Sequence, residues 1–274
     1  MDLGITGRVA IVSGGSRGIG LAIARRLLEE GVKVMIAARS TASLDAAVQA
    51  LTPIAPDHLR AISADMTDEA GIHAAADAAR CAFGPIGIAV SNVVGHVIAR
   101  DEAGPHAGHF EQVDPADYRV EFRQLALSAW HLAQAVIPDM RAQRWGRILN
   151  IGSMVAREPM WEIPHILPNT VRPAVAGLYR GLARELAADG ITVNSLLTGS
   201  IATERNRDYY TWLAAERGRD LDGMLAELYA SGPIRRPGDP DEMAGLALFL
   251  CSNQAGAISG QAPHVTGGRT RHLY

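Results

Sequence analysis

Short apolar runs, too continuous to leave one face for water, recur along the chain, each separated from the next by a helical pattern. "VAIVS" (9–13) precedes a helical pattern from about Gly18 to Glu30, and "VKVMIAA" (32–38) precedes one near Ser43 to Leu51. "LRAISA" (59–64) leads to a helix opened by Thr67 and Asp68, and "IGIAVS" (86–91) follows it. A long helical stretch, 115–144, runs into "GRILNIG" (146–152), and a helix near 170–188 runs into "ITVNSLL" (191–197). A strand that is apolar at every position must be covered on both faces, and the intervening helices carry the chain back for parallel pairing. The expected fold is therefore α/β, a doubly wound parallel sheet of the Rossmann type in three layers, α/β/α. Residues 1–274 are expected to form one such domain, without repeats or low-complexity linkers. Two stretches break the alternation, 95–114 and 203–238. Long segments at the carboxyl ends of strands wall the ligand sites of such sheets, so both are expected to border a substrate.

The bulk chemistry narrows the partners. A net charge of −3 with 20% charged residues gives no electrostatic basis for holding nucleic acid or an anionic membrane. No apolar run approaches the ~20 residues of a membrane span. The start of the chain runs straight into a strand without a basic, then apolar, leader, which predicts a cytoplasmic protein, and with nucleic acid and membrane set aside the expected partner is a small-molecule substrate. Cys81 and Cys251 lie far apart and suggest neither a disulfide nor a metal site.

"VSGGSRGIGLAIARRLLEEG" (12–31) places Gly14, Gly18 and Gly20, with Ser16, Arg17 and Ile19 between them, in the turn from an apolar strand into a helix. Glycines there permit a tight turn and bring backbone N–H groups against a pyrophosphate at the helix N-terminus. The second strand ends "AARS". An acidic residue at that point would bind a ribose 2′-hydroxyl and repel a 2′-phosphate, whereas Arg39 offers charge-assisted bonds to one. Arg39 with Ser40, and Arg17 as a second cation, predict NADP(H) in preference to NAD(H).

These motifs, and others downstream in the same order, resemble the short-chain dehydrogenase/reductase family. "SGGSRGIG" looks like its TGxxxGxG loop, and "SADMTD" resembles the segment that would set Asp65 and Met66 beside the adenine. "VSNVVG" is similar to its NNAG motif and retains Asn92. "GRILNIGS" looks like the strand that ends in the catalytic serine, here Ser153. "LARELAADGITVNSLLTGSIAT" resembles the helix and strand that end in PGxxxT, with Thr198 in place of proline and Gly199, Ile201 and Thr203 flanking the nicotinamide.

The resemblance breaks at the catalytic tetrad. In the family, tyrosine transfers the proton, serine polarises the carbonyl, lysine orients the ribose and asparagine anchors a relay water. The same alignment sets Pro168 on the tyrosine, Arg172 on the lysine and Leu125 on the asparagine, and only Ser153 survives. This pattern resembles a minor branch similar to β-ketoacyl-ACP reductases but without the tetrad, echoed in Glu158-Pro159 and in 167–172.

Proline has no proton to give, and arginine is permanently charged. Pro173 is tolerated in a first helical turn, so the helix is expected to begin at Asn169 or Thr170. Ser153 remains a hydrogen-bond donor, Arg172 can hold the ribose, and His165, three residues before Pro168, or a water is the expected replacement acid. Glu158, Glu162, His96, His106 and His109 are further loop candidates, and Trp161, Tyr209, Tyr210 and Trp212 are expected to line or pack the pocket. The histidine spacings match no tight ligand set, so no metal is expected. The leading expectation is an NADP(H)-dependent oxidoreductase acting on a carbonyl, hydroxyl or activated alkene. Two alternatives share the fold: a non-redox lyase, isomerase or cyclase, and a non-catalytic binding protein. The family's four-helix contact further implies a homodimer or homotetramer through the helices from Pro115 and Thr170.

Overall fold

The structure is a computed structural model that describes residues 2–93, 109–159, 166–230 and 232–271 in full, and the backbone of 98–99 and 105–106. The first half runs β1 (Val9–Ser13), α1 (Gly18–Glu29), β2 (Lys33–Ala38), α2 (Thr41–Leu51), β3 (Leu59–Ser63), α3 (Glu69–Phe83) and β4 (Ile88–Ser91). A two-stranded antiparallel pair, β5 (Ile98–Ala99) and β6 (Pro105–His106), lies in the first interrupting stretch. Then come α4 (Pro115–Phe122), α5 (Ser128–Gln143), β7 (Gly146–Ser153), α6 (Ile166–Leu186) and β8 (Ile191–Thr198). The second interrupting stretch carries α7 (Glu204–Glu216) and α8 (Leu221–Ala230), and the chain closes with α9 (Pro240–Leu250) and β9 (His264–Val265).

Seven strands form one parallel sheet in the order β3-β2-β1-β4-β7-β8-β9. Strand alternation divides the core in two. Ala10 and Val12 of β1, with Val34 and Ile36 of β2, face Ile23 and Leu27 of α1 and Met243 and Ala247 of α9. Val9 and Ile11, with Met35 and Ala37, face Ile72 of α3, Leu132 and Val136 of α5 and Tyr179 of α6. This two-sided burial is what the unbroken apolar runs require. The strand order reverses between β1 and β4, which opens a crevice at their carboxyl ends. Among the described residues no helix is long and apolar enough to cross a membrane.

Two expectations need correction. The stretch 115–144 is not one uniform helix, because a wide π-type turn, Arg123–Leu127, separates α4 from α5. The helix before β8 starts no later than Ile166 and holds Pro168 and Pro173, rather than beginning at Asn169 or Thr170. Pro168 and Pro173 each forfeit at most one backbone hydrogen bond. Burial of Leu167, Val171, Val175 and Tyr179 along one stripe of α6 offsets that loss.

Candidate active site

β1 ends in a loop where Gly14 and Gly18 both take positive φ, 62° and 54°. Side chains lock this loop to the end of β4. The Ser13 hydroxyl donates to the Val90 carbonyl (2.9 Å) and accepts from the Asn92 N–H (3.2 Å), while Asn92 Nδ2 donates to the Gly14 carbonyl (3.2 Å). A Cβ on Gly20 would collide with the Gly14 carbonyl and the Asn92 side chain. α1 therefore begins close under the loop. Its N-cap, Arg17, makes no side-chain cap bond, and its first turn holds no acidic residue. The open N–H groups and the unopposed helix dipole make this end of α1 suited to an anion.

Above it lies a cavity of about 760 Å3, bounded by the ends of β1, β4, β7 and β8 and by α4, α6 and α7. Gly14, Ser16, Arg17, Gly18, Ile19, Asn92, Ser153, Arg172, Gly199, Ile201 and Thr203 all border it. Gly20 is buried beneath. Thr203 caps α7 by accepting from the Asn206 N–H (3.2 Å), and its methyl group would stand 3.1 Å from a Cβ on Gly18. An exposed ion pair, Arg17 to Glu204 (3.1 Å), crosses from the glycine loop to α7.

Four of the expected cofactor residues stand apart from the cavity. Arg39 is exposed at the end of β2, and Ser40 caps α2 by accepting from the Ser43 N–H (3.2 Å). Asp65 Oδ1 accepts from the N–H (2.9 Å) and hydroxyl (2.8 Å) of Thr67, and Met66 packs in the core. His165, Trp161, Glu162 and His96 lie outside the described residues, as does the side chain of His106. His109 is exposed in a short turn, and Glu158 accepts from the Arg271 N–H (2.9 Å). Tyr209 and Tyr210 line the cavity from α7, with ring centroids 5.4 Å apart, and Trp212 packs beside Tyr209. Among the described residues no cluster of three His, Cys, Asp or Glu could hold a metal.

The structure adds a residue that the sequence reading passed over. Glu121, on the last turn of α4, borders the cavity beside Pro168, Ser153 and Arg172, yet only 2% of it is exposed. Among the described residues its Oε2 has no hydrogen-bond partner. Burial pushes its carboxyl up to about 7 although the Arg172 and Arg205 guanidiniums pull the other way. Burial in turn lowers the Arg172 pKa, a shift that Glu121 opposes. The signal was present in the spacing: Glu121 stands four residues before Leu125, and Leu125, Ala129, Leu132 and Val136 form a buried stripe. A carboxylate continuing an apolar stripe is a group held out of water for a reason other than solubility.

The neck of this cavity, a glycine turn over the N-terminus of α1, fits a dinucleotide pyrophosphate, and a Cβ on Gly18 would crowd it against the Thr203 methyl. Comparison with known proteins agrees. A family profile described as "Enoyl-(Acyl carrier protein) reductase" matches residues 13–270. The 3-oxoacyl-[acyl-carrier-protein] reductase FabG of Vibrio cholerae is 32% identical over 97% of this chain and 98% of its own length. The crystal structure of L-sorbose reductase from Gluconobacter frateurii, complexed with NADPH and L-sorbose, superposes with a TM-score of 0.90 at 30% identity, covering 100% of both chains. A 7α-hydroxysteroid dehydrogenase complexed with NADH and 7-oxo glycochenodeoxycholic acid gives 0.85 at 29% identity, covering 100% of this chain and 98% of its own. The match runs from the end of β1 to beyond β9, and by it the chain belongs to the short-chain dehydrogenase/reductase family of oxidoreductases.

Proposed function

We propose that this protein is an NADP(H)-dependent oxidoreductase that acts on a carbonyl, a hydroxyl or an activated alkene through a site without the family's tyrosine and lysine. The observation that carries the reading is a nucleotide cleft whose glycine turn and open helix end are intact, while Pro168 and Arg172 line the far end beside Ser153. The glycine loop and Arg17 would hold the pyrophosphate, Arg39 with Ser40 the 2′-phosphate, and the Asp65–Met66 segment the adenine. Asn92, Arg172, Gly199, Ile201 and Thr203 would surround the nicotinamide ribose and ring. The bound nicotinamide supplies hydride chemistry. Ser153 donates a hydrogen bond to the substrate oxygen, and Arg172 adds fixed positive charge. Relatives named as reductases and dehydrogenases favour this reading over a lyase, isomerase or cyclase.

Since the solved relatives hold NADPH in one case and NADH in another, cofactor choice rests on the end of β2. Arg39→Asp is expected to weaken NADPH binding by about tenfold or more, the loss of a charge-assisted phosphate contact, and to favour NADH relatively. Equal affinities before and after, measured by calorimetric titration, would remove the 2′-phosphate assignment. Ser153→Ala is expected to lower turnover by about 10²-fold while leaving nucleotide affinity within a few-fold. An unchanged rate in steady-state assays would take the serine out of the mechanism.

The same reading includes a homodimer or homotetramer. Tyr118, Leu127 and Trp130, 40%, 41% and 49% exposed, give α4, α5 and the wide turn between them apolar surface that a second copy would cover.

A further inference from the structure

We propose that Glu121 is the proton donor of this site, occupying the role left vacant at Pro168; the proposal rests on the oxidoreductase reading above. Glu121 borders the cavity together with Ser153 and Arg172, carried there by the last turn of α4, which packs against α6. Leu125, buried within the wide turn that follows Phe122, is apolar and can anchor no relay water.

The other groups on the described wall are poorly suited to give a proton. Glu204 is a solvent-exposed partner of Arg17, and Asp208 is exposed on α7. Burial raises the Tyr209 phenol above its ordinary value, which makes it a weaker acid than a free tyrosine, and the Tyr210 hydroxyl is engaged with the Ser200 hydroxyl at 3.5 Å. An alcohol such as Ser153 and the permanently charged Arg172 do not ionise near neutrality. Glu121 differs from all of them. It is buried, and Oε2 has no hydrogen-bond partner among the described residues. Its titration near 7 keeps an appreciable protonated fraction at neutral pH, where a general acid works best.

The charged groups acting on it are Arg172 from α6 and Arg205 from α7. Both stabilise the carboxylate that proton transfer leaves behind. A reduced nicotinamide held beside Arg172 would supply the hydride, two electrons and one hydrogen, that the acceptor carbon takes up, and would itself be left oxidised. The electron pair displaced from the acceptor's double bond collects on its oxygen. The Glu121 O–H bond then breaks, its pair stays on the carboxylate, and a new O–H bond completes the alcohol. Water entering through the cavity reprotonates Glu121 before the next turnover. In the oxidative direction the carboxylate accepts the same proton.

The test compares the wild type with Glu121→Gln and Glu121→Asp in NADPH-linked reduction of diacetyl, isatin and an unsaturated ketone, with NADPH affinity measured separately. The glutamine variant is expected to lose ~10²–10⁴-fold in kcat/KM. NADPH affinity should change by no more than a few-fold, and the aspartate variant should recover part of the rate. The wild-type rate of reduction should fall as pH rises through about 7, and that inflection should vanish in the glutamine variant. In parallel, carboxyl-labelled glutamate NMR on the nucleotide-free wild type should show one side chain titrating well above the rest and missing from Glu121→Gln. A glutamine variant with wild-type rates, or a Glu121 resonance titrating in the ordinary carboxylate range, overturns the assignment alone. A wild type that binds NADPH yet reduces none of the probes overturns the redox reading and the acid with it.

Discussion

Gly20→Val is expected to leave a protein that takes up no nucleotide and unfolds at lower temperature. The first atom of any side chain at position 20 would overlap the Gly14 carbonyl and the Asn92 amide, both held in place. Asn92 Nδ2 bonds to that same carbonyl at 3.2 Å, so the intruding atom has to break the bond or push α1 away from the loop. Either movement turns the first N–H groups of α1 out of line with the phosphate site. Crowding a packed interior costs about 1–3 kcal/mol, which in a chain of this size lowers the melting temperature by several degrees. Calorimetric titration with NADPH and a thermal melt check the two effects together. A valine variant that binds NADPH as the wild type does would show that the loop is not the phosphate cradle.

Arg147→Ala is expected to cost about 2–5 kcal/mol of stability and to leave nucleotide affinity unchanged. Arg147 stands on β7 and is only 4% exposed. Its Nε donates to the Ser252 carbonyl (3.0 Å) and its Nη1 to that of Gly146 (2.8 Å). The guanidinium lies over the Trp145 ring, 4.5 Å from its centroid, and Arg8 lies over the same ring at 4.0 Å. Burial lowers the Arg147 pKa, which marks a cation kept in the interior for the bonds it makes. Alanine removes the long stem and strips donors from buried carbonyls at once. The residue sits at the opposite end of β7 from Ser153, so the loss should appear in denaturant unfolding and not in NADPH titration. Loss of binding without loss of stability would contradict that separation.

The sheet was legible in the sequence because its strands are buried on both faces, which leaves continuous runs such as "VAIVS" that few other folds require. The glycine loop was legible for a related reason: Gly14 and Gly18 stand where positive φ is needed, and Gly20 where no side chain fits. Local rules misplaced the start of α6, because Pro173 reads as a boundary while packing of Val171, Val175 and Tyr179 holds the helix through it. The wide turn at Arg123–Leu127 leaves no mark in composition. Glu121 is not legible by the same rules, because candidate acids read from sequence lie in the loops after Asn92 and before Pro168, whereas the cavity also draws its wall from α4 in space. A charged residue four positions ahead of a buried stripe was the available signal.

The central claim is that a working NADP(H) cleft persists where Pro168 and Arg172 stand in place of the family's tyrosine and lysine. Calorimetric titration of the wild-type protein with NADPH and with NADH tests it most directly. Saturable binding of both, with NADPH clearly tighter and that margin lost in Arg39→Asp, is the predicted result. Folded protein that takes up neither nucleotide would contradict the account.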